Sequence, residues 1–204
     1  MNEYKNKYLN KGTSYIEKKF TPFLDSEIEE LETACTEVKK EFIEIGDAGE
    51  YNHLWVGRFL SDKDRPRILN KNLALRVLDI LGRSKVKDFV QNIINYDKEL
   101  YLRRVQYNQI ESGCYIGYHL DVDSNPEYLC ACVIQLGAQY SGGKYRVYQK
   151  DKSFIDYTSE YKSMIISDCN YPHEVTKVTK GSRKSLVFFF ANHNKKNKRS
   201  TNGL

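Results

Sequence analysis

Three side chains of the sequence have the types and the spacing of a metal site. His119 and Asp121 stand two residues apart in the stretch GYHLD, and alternate residues of a strand point to the same face. His173 follows later, in the stretch YPHEV. Two imidazoles and one carboxylate on one side of a metal form the facial triad of non-heme iron(II) oxygenases, which leaves the other coordination positions open. We therefore predict that His119, Asp121 and His173 bind iron(II) and are the catalytic residues.

A basic residue downstream of the second histidine adds a specific context to this pattern. Arg183 lies ten residues after His173, beyond a glycine, in HEVTKVTKGSRKSL. A guanidinium is planar and permanently charged, so it can bind a carboxylate through two parallel hydrogen bonds. 2-Oxoglutarate presents such a carboxylate once its keto acid end chelates iron. Taken alone, Arg183 is typical of a solvated arginine in a basic turn, so its assignment depends on the histidines.

The order of three motifs carries a family resemblance. The region from about residue 106 to residue 192 resembles the prolyl 4-hydroxylase-like 2-oxoglutarate oxygenases, and the PKHD-type hydroxylases of bacteria and phages most closely. The matching stretches are NQIESGCYIGYHLD, QYSGGKYRVY and HEVTKVTKGSRKSLVFFF. The resemblance implies a double-stranded β-helix, iron at the three predicted ligands and 2-oxoglutarate held by Arg183. It also implies dioxygen as a substrate, with ascorbate as a further candidate cofactor.

The other contacts to 2-oxoglutarate are less clearly marked. The family often has a tyrosine nine residues before its first histidine, and this sequence has Ile110 there. Tyr107 is the candidate replacement if the following turn shifts the strand, although a structural tyrosine fits equally well. Ser185, two residues after Arg183, and Gln135, on a predicted strand, are the remaining candidates for cosubstrate binding.

The resemblance implies hydroxylation of an unactivated C–H bond with release of succinate and carbon dioxide. Related halogenases replace the carboxylate ligand by Gly or Ala, so the presence of Asp121 favours hydroxylation. The first expectation for the substrate is a prolyl or other side chain in a protein or peptide. A free amino acid or other small molecule is the alternative.

Two further readings of the sequence are weaker. An AlkB-like nucleic-acid demethylase would carry a second arginine six residues after the first, where this sequence has Phe189. The body of the chain is also nearly neutral, so a nucleic-acid partner is not favoured. A metal-free β-barrel binding module would not require all three predicted ligands.

The hydrophobic pattern indicates which elements position these residues. Apolar spacing is helical before about residue 100 and has a period of two after it. We therefore predict an α+β fold, a cupin-like jelly roll with N-terminal helices packed on one sheet. Helices are predicted at 26–42, 72–82 and 86–94, with an irregular segment at 44–67 that contains His53 and Trp55. Strands are predicted at 101–108, 128–136, 144–149, 163–167, 174–178 and 185–191, with a turn at 141–143.

Composition indicates one protein domain without a membrane segment. Residues 1–193 are predicted to form the dioxygenase domain, with a helical part at 1–100 and a jelly-roll core at 101–193. The net charge is +5, and four of these charges lie in the tail 194–204, which we expect to be disordered. The five cysteines show no CxxC spacing, and the N-terminus shows no signal peptide. These features predict a cytoplasmic protein.

Overall fold

The structure is a computed structural model that describes residues 1–62, 65–192 and 194. Most of the predicted basic tail, and His193 before it, lie outside the described residues. In the described part, no helix has the length and apolar character needed to cross a membrane.

The helices precede the main run of strands, as the periodicity predicts. The third helix buries Ala74, Val77, Leu78 and Leu81 on one face, which is the spacing of an amphipathic helix. A 3-10 turn occupies Lys18–Phe20. The helices are α1 (Asn2–Lys11), α2 (Asp25–Glu37), α3 (Lys71–Gly82), α4 (Ser84–Ile94) and the single turn α5 (Asp121–Ser124).

The predicted end of the first long helix is wrong. Helix α2 ends at Glu37, and Val38 already has an extended backbone. Phe42, which fits the helical spacing, belongs to the following strand. The helix begins where the backbone N–H of Leu24 donates to Glu27 Oε2 over 2.8 Å.

In the part of the chain that the structure describes, thirteen strands pair into one antiparallel system in two layers. Its order is β1-β11-β7-β13-β5-β3-β6-β12-β9-β10, with β2 and β4 paired to β3 and β8 paired to β13. Strand β3 joins the layers, because its residues 55–60 pair with β5 while Asn52 and His53 pair with β6. This arrangement is the expected double-stranded β-helix. The strands are β1 (Thr13–Ile16), β2 (Lys40–Ile45), β3 (Tyr51–Ser61), β4 (Arg67–Ile68), β5 (Tyr101–Glu111), β6 (Tyr115–His119), β7 (Tyr128–Leu136), β8 (Tyr140–Gly142), β9 (Tyr145–Tyr148), β10 (Phe154–Tyr157), β11 (Met164–Asp168), β12 (His173–Val175) and β13 (Val178–Ala191).

Four of these strands lie before residue 100, so the part predicted to be helical contains strands as well as helices. The prediction of an irregular segment at 44–67 is wrong, since β3 takes up nearly half of it and β2 and β4 reach into its two ends. Strand β3 alternates between burial and exposure, but its exposed side carries His53 and Trp55 while its buried side includes Asn52. The usual apolar-in, polar-out pattern is therefore obscured. The predicted turn at 141–143 begins inside strand β8, although Gly142 and Gly143 both have positive φ.

Strand alternation divides the apolar residues into two cores. On β13, Leu186, Phe188 and Phe190 face the helices, while Val187 and Phe189 face the inside of the barrel. The layer formed by β1, β11, β7, β13, β5 and β3 is therefore covered by helices on its outer side. Its inner side, facing the short strands β6, β12 and β9, forms a cavity.

Candidate active site

The structure brings the three predicted metal ligands together. His119 ends β6 and His173 begins β12, and these two residues are direct partners across the paired strands. Their ring centroids are 4.3 Å apart. Asp121 begins α5, with one carboxylate oxygen 3.5 Å from His119 Nε2 and the other 3.5 Å from His173 Nε2. The three ligand atoms lie within 4.8 Å of one another, so they can hold one metal ion.

Backbone carbonyl groups orient both imidazoles. His119 Nδ1 lies 2.8 Å from the carbonyl oxygen of Gly117, and His173 Nδ1 lies 3.1 Å from that of Tyr171. A proton on each Nδ1 would be donated to the carbonyl, which leaves the Nε2 lone pair free for a metal. This is the outer support that metal-bound histidines commonly have.

The acid–base properties of the cluster suit a cation. Burial opposes ionisation of Asp121, but the neighbouring His173 and His119 outweigh it and hold its pKa below the usual range. Burial lowers the pKa of His173, which favours the neutral, metal-binding form. Within the described residues, Asp121 Oδ2 is buried without a hydrogen-bond donor. A buried carboxylate oxygen that lacks a donor is costly unless a cation binds it, so the residues fit a divalent metal.

Arg183 lies in the same cavity, and no carboxylate of the described residues pairs with it. It is 1% exposed, and its Nη1 donates to Ser185 Oγ over 3.4 Å. Its Nε and Nη2 have no acceptor among the residues described. Burial lowers the pKa of Arg183, and the hydroxyl groups of Tyr140 and Tyr145 oppose this change. An unpaired buried guanidinium is the counterpart expected for the carboxylate of 2-oxoglutarate.

The cavity has an empty volume of about 800 Å³, part of it open to solvent. Four strands line it with alternate residues, because only one side of each strand faces inward. Its lining includes Asn52, Leu54, Val56, Arg58, Arg104, Gln106, Asn108, His119, Asp121, Ala131, Val133, Tyr145, His173, Arg183, Ser185, Val187 and Phe189.

The predicted cosubstrate residues other than Arg183 differ in whether they line the cavity. Ser185 lines the cavity beside Arg183, and its contact with the cosubstrate stays a prediction. Tyr107 does not, because strand alternation turns it toward the helices, where its hydroxyl donates to Gln109 Oε1 over 3.1 Å. The prediction that Tyr107 lies in the site is therefore wrong. Gln135 is buried next to Ser185, but its Nε2 donates to carbonyl groups of Leu136 and Lys184, and it is not among the cavity-lining residues.

Two groups of cavity residues were not predicted from the sequence. Tyr145 stacks on His173 with ring centroids 5.2 Å apart, and its buried hydroxyl has no partner among the described residues. Tyr145 lies within the stretch QYSGGKYRVY, whose resemblance to the family does not by itself predict a role for this tyrosine. Arg104, Gln106 and Asn108 form a polar inner row on β5. These three polar residues stand at alternate positions of the sequence, and this spacing could have predicted them as site residues. A strand rarely keeps three polar residues on its buried side.

Comparison with known proteins agrees with this geometry. Residues 105–191 match the family model described as the 2OG-Fe(II) oxygenase superfamily. No curated protein matches the sequence. Among solved structures, the chain is similar to an oxidoreductase of the 2OG-Fe(II) oxygenase family from Burkholderia pseudomallei, with 29% identity and a TM-score of 0.88. That match covers 98% of this chain and 94% of the other.

Two more distant structures share the fold. One is a prolyl hydroxylase from Trichoplax adhaerens in complex with a hypoxia inducible factor peptide fragment, at 14% identity and a TM-score of 0.67. The match covers 94% of this chain and 82% of the Trichoplax chain. The other is the alpha ketoglutarate dependent epimerase SnoN from nogalamycin biosynthesis, at 8% identity and a TM-score of 0.70. The match covers 94% of this chain and 82% of the SnoN chain. With a family model that matches residues 105–191, a structural relative that covers 98% of the chain and a buried His-Asp-His cluster, the chain is similar to the 2OG-Fe(II) oxygenase superfamily.

Proposed function

We propose that His119, Asp121 and His173 hold Fe(II), and that Arg183 binds the distal carboxylate of 2-oxoglutarate. The reaction is hydroxylation of an unactivated C–H bond, first of a prolyl or other side chain in a protein or peptide. The observation that carries this proposal is one cavity that holds two buried groups of opposite charge. Among the described residues, Asp121 Oδ2 has no hydrogen-bond donor, and Arg183 Nε and Nη2 have no acceptor.

The protein groups have distinct parts in this reaction. Bound Fe(II) and 2-oxoglutarate supply oxidative chemistry that consumes dioxygen and releases succinate and carbon dioxide. His119 and His173 are fixed by carbonyl groups, so they present Nε2 toward one point. Asp121 supplies the negative charge. Keeping all three ligands favours hydroxylation over halogenation.

The other side of the cavity positions the cosubstrate. Arg183 offers two donor nitrogens that have no acceptor among the described residues, and its third nitrogen donates to Ser185 Oγ. The Tyr145 hydroxyl is a further donor without a partner in the described chain. Val133 and Val187 cover this region with apolar surface, which excludes water and strengthens the charged contacts.

Two substrate classes have support. A peptide is supported by the fold-level likeness to the Trichoplax prolyl hydroxylase, whose structure holds a peptide fragment. A free amino acid or other small acid is supported by two more arginines on the inner wall, Arg58 and Arg104. The epimerase SnoN shows that the fold also serves reactions other than hydroxylation, so the product must be identified directly.

The test combines metal binding with product analysis. The protein is loaded anaerobically with Fe(II), and 2-oxoglutarate, air and a panel of prolyl peptides and free amino acids are added. We expect succinate together with a product that has gained one oxygen atom, detected by mass spectrometry. His173→Ala should lose both metal binding and succinate formation. His53→Ala is the matched control, because His53 is exposed on the outer side of β3. Undiminished turnover in His173→Ala would overturn the ligand assignment.

A further inference from the structure

Two arginines on the inner wall are not used by the proposed reaction. Arg104 lies on β5 and Arg58 on the neighbouring β3, and both line the cavity. Their side chains are only 11% and 20% exposed. The pKa of Arg58 is lowered first by burial and then by Arg104. Burial also opposes the charge of Arg104, but Tyr128 and Asp47 outweigh it and raise the pKa of Arg104. Two like charges on one buried wall call for an anion.

Hydrogen bonds hold Arg104 in one orientation. Its Nε donates to Gln106 Oε1 over 2.7 Å, and Gln106 Nε2 donates to Asn108 Oδ1 over 2.8 Å. These hydrogen bonds run along the inner face of β5. They leave the remaining nitrogens of the Arg104 guanidinium available to a carboxylate. In the structure that carboxylate is Asp47, whose Oδ2 lies 2.7 Å from Arg104 Nη2.

The acids that pair with these arginines have largely exposed side chains, and Asp47 also lines the cavity. Asp47 stands in the turn between β2 and β3, and its side chain is 55% exposed. Glu41, which pairs with Arg58, is 61% exposed. Pairs that involve such exposed acids contribute little, because water competes for the carboxylate. An incoming anion can therefore take the place of Asp47 at small cost.

The charge balance of the loaded site points the same way. A divalent iron and Arg183 together match the charges of Asp121 and dianionic 2-oxoglutarate, so that assembly is neutral. Of the other charged residues that line the cavity in the described chain, Arg58 and Arg104 are positive and Asp47 and Glu50 are negative. A substrate carboxylate can therefore reach Arg104 once Asp47 moves away from it.

We propose that Arg104 binds a carboxylate of the substrate, and that Asp47 occupies this position in the substrate-free protein. The inference rests on the proposed function and narrows its substrate to molecules that carry a carboxylate. The carboxylate can come from a free amino acid or from an acidic residue beside the target in a peptide. Arg104 is thus a specificity-determining residue, and Asp47 is its internal competitor.

The experiment measures binding without turnover. The protein is loaded with Mn(II) and 2-oxoglutarate under anaerobic conditions, and affinities are measured by calorimetry. One arm compares the proteinogenic amino acids with their amides. The other compares capped prolyl peptides that carry Glu or Gln next to the proline. We expect the acid to bind more tightly than its amide by roughly thirtyfold in one arm, as for a buried charge pair. The arm that shows the preference identifies the source of the carboxylate.

Variants assign the preference to specific residues. Arg104→Gln should abolish it, and Arg104→Lys, which keeps the charge, should restore part of it. Asp47→Asn should tighten acid binding, because it removes the competitor. The matched controls are Glu44→Gln, an exposed acid on β2, and Arg67→Gln, an exposed arginine on β4, and both should behave as wild type. Folding of each variant is checked by thermal unfolding.

Other outcomes would overturn the inference. One is the absence of an acid preference in both arms while 2-oxoglutarate binds normally, which leaves the proposed function standing. A second is weaker 2-oxoglutarate binding in Arg104→Gln with unchanged substrate affinity, which would make Arg104 a cosubstrate residue. Failure of the proposed function is distinct, because wild type would then show no Mn(II)-dependent binding of 2-oxoglutarate.

Discussion

At the scale of single residues, the charge of Arg183 has opposite effects on binding and on folding. The guanidinium is 1% exposed and has no anionic partner in the described residues. A buried charge without its partner destabilises the folded state, whereas the same charge attracts a carboxylate ligand strongly. The residue is therefore expected to serve function at the expense of stability.

Replacing this charge separates the two effects. We expect Arg183→Met to weaken 2-oxoglutarate binding by roughly thirtyfold or more, from the cost of truncating a buried charged pair. The same change should raise the free energy of unfolding of the cofactor-free protein by on the order of 1 kcal/mol or more. Calorimetry and urea unfolding measure the two quantities.

The control for Arg183→Met is Arg67→Met, which removes an exposed arginine of β4 and should change neither quantity. A loss of stability in Arg183→Met would contradict the prediction. It would mean that Ser185 and the nearby tyrosine hydroxyls already satisfy the guanidinium.

At the scale of elements, local patterns determined how much could be predicted. Strands β5, β7 and β13 follow from alternation of apolar residues, and the metal cluster follows because His119 and Asp121 are close in the sequence. Strand β3 was missed because its outer face carries aromatic residues. Tyr107 was misplaced because a position in the sequence does not reveal which side of a strand faces inward, and a shift of one residue reverses that side.

The same limit explains why Tyr145 and Arg104 were missed. Each becomes a site residue only through the register that places its strand against its neighbours. Tyr145 of β9 pairs with Val175 of β12, the strand that begins at His173. This pairing brings Tyr145 near the metal ligands, and the sequence alone does not reveal it.

The approach of β6 to β3 depends on one glycine. A Cβ at Gly117 would lie 2.4 Å from the backbone oxygen of Tyr51, so the two strands would have to separate. His119 is only two residues further along β6. We expect Gly117→Ala to lower the free energy of unfolding by about 1–3 kcal/mol and to weaken metal binding. Urea unfolding and metal titration measure these changes.

Helix α3 offers a matched control for this substitution. A Cβ at Gly82 would meet open space, and its φ is not positive. Gly82→Ala should therefore raise the free energy of unfolding by roughly 0.5–1 kcal/mol and leave metal binding unchanged. If Gly117→Ala behaved like Gly82→Ala, the close contact with β3 would not be needed to position His119.

At the scale of the whole molecule, the two layers of the barrel differ in support. The layer that contains β13 packs on the helices through a large apolar core, which includes Leu186, Phe188 and Phe190. The opposite layer is made of short strands, with five residues in β6, four in β9 and three in β12. Its core also shares the barrel interior with the polar cavity. Regions with few apolar contacts open more readily than the rest of a protein.

This difference between the layers predicts which strands are stabilised most when a ligand binds. Mn(II) alone, at a hundred times its dissociation constant, should slow amide hydrogen exchange in β6 and β12 by up to about a hundredfold, because opening this layer separates His119 from His173. Exchange in α3 and β13 should change much less. Asp121→Ala should abolish the effect, while Asp123→Ala, an exposed acid on the same turn, should keep it. Uniform protection of both layers would instead show that the barrel opens only by global unfolding.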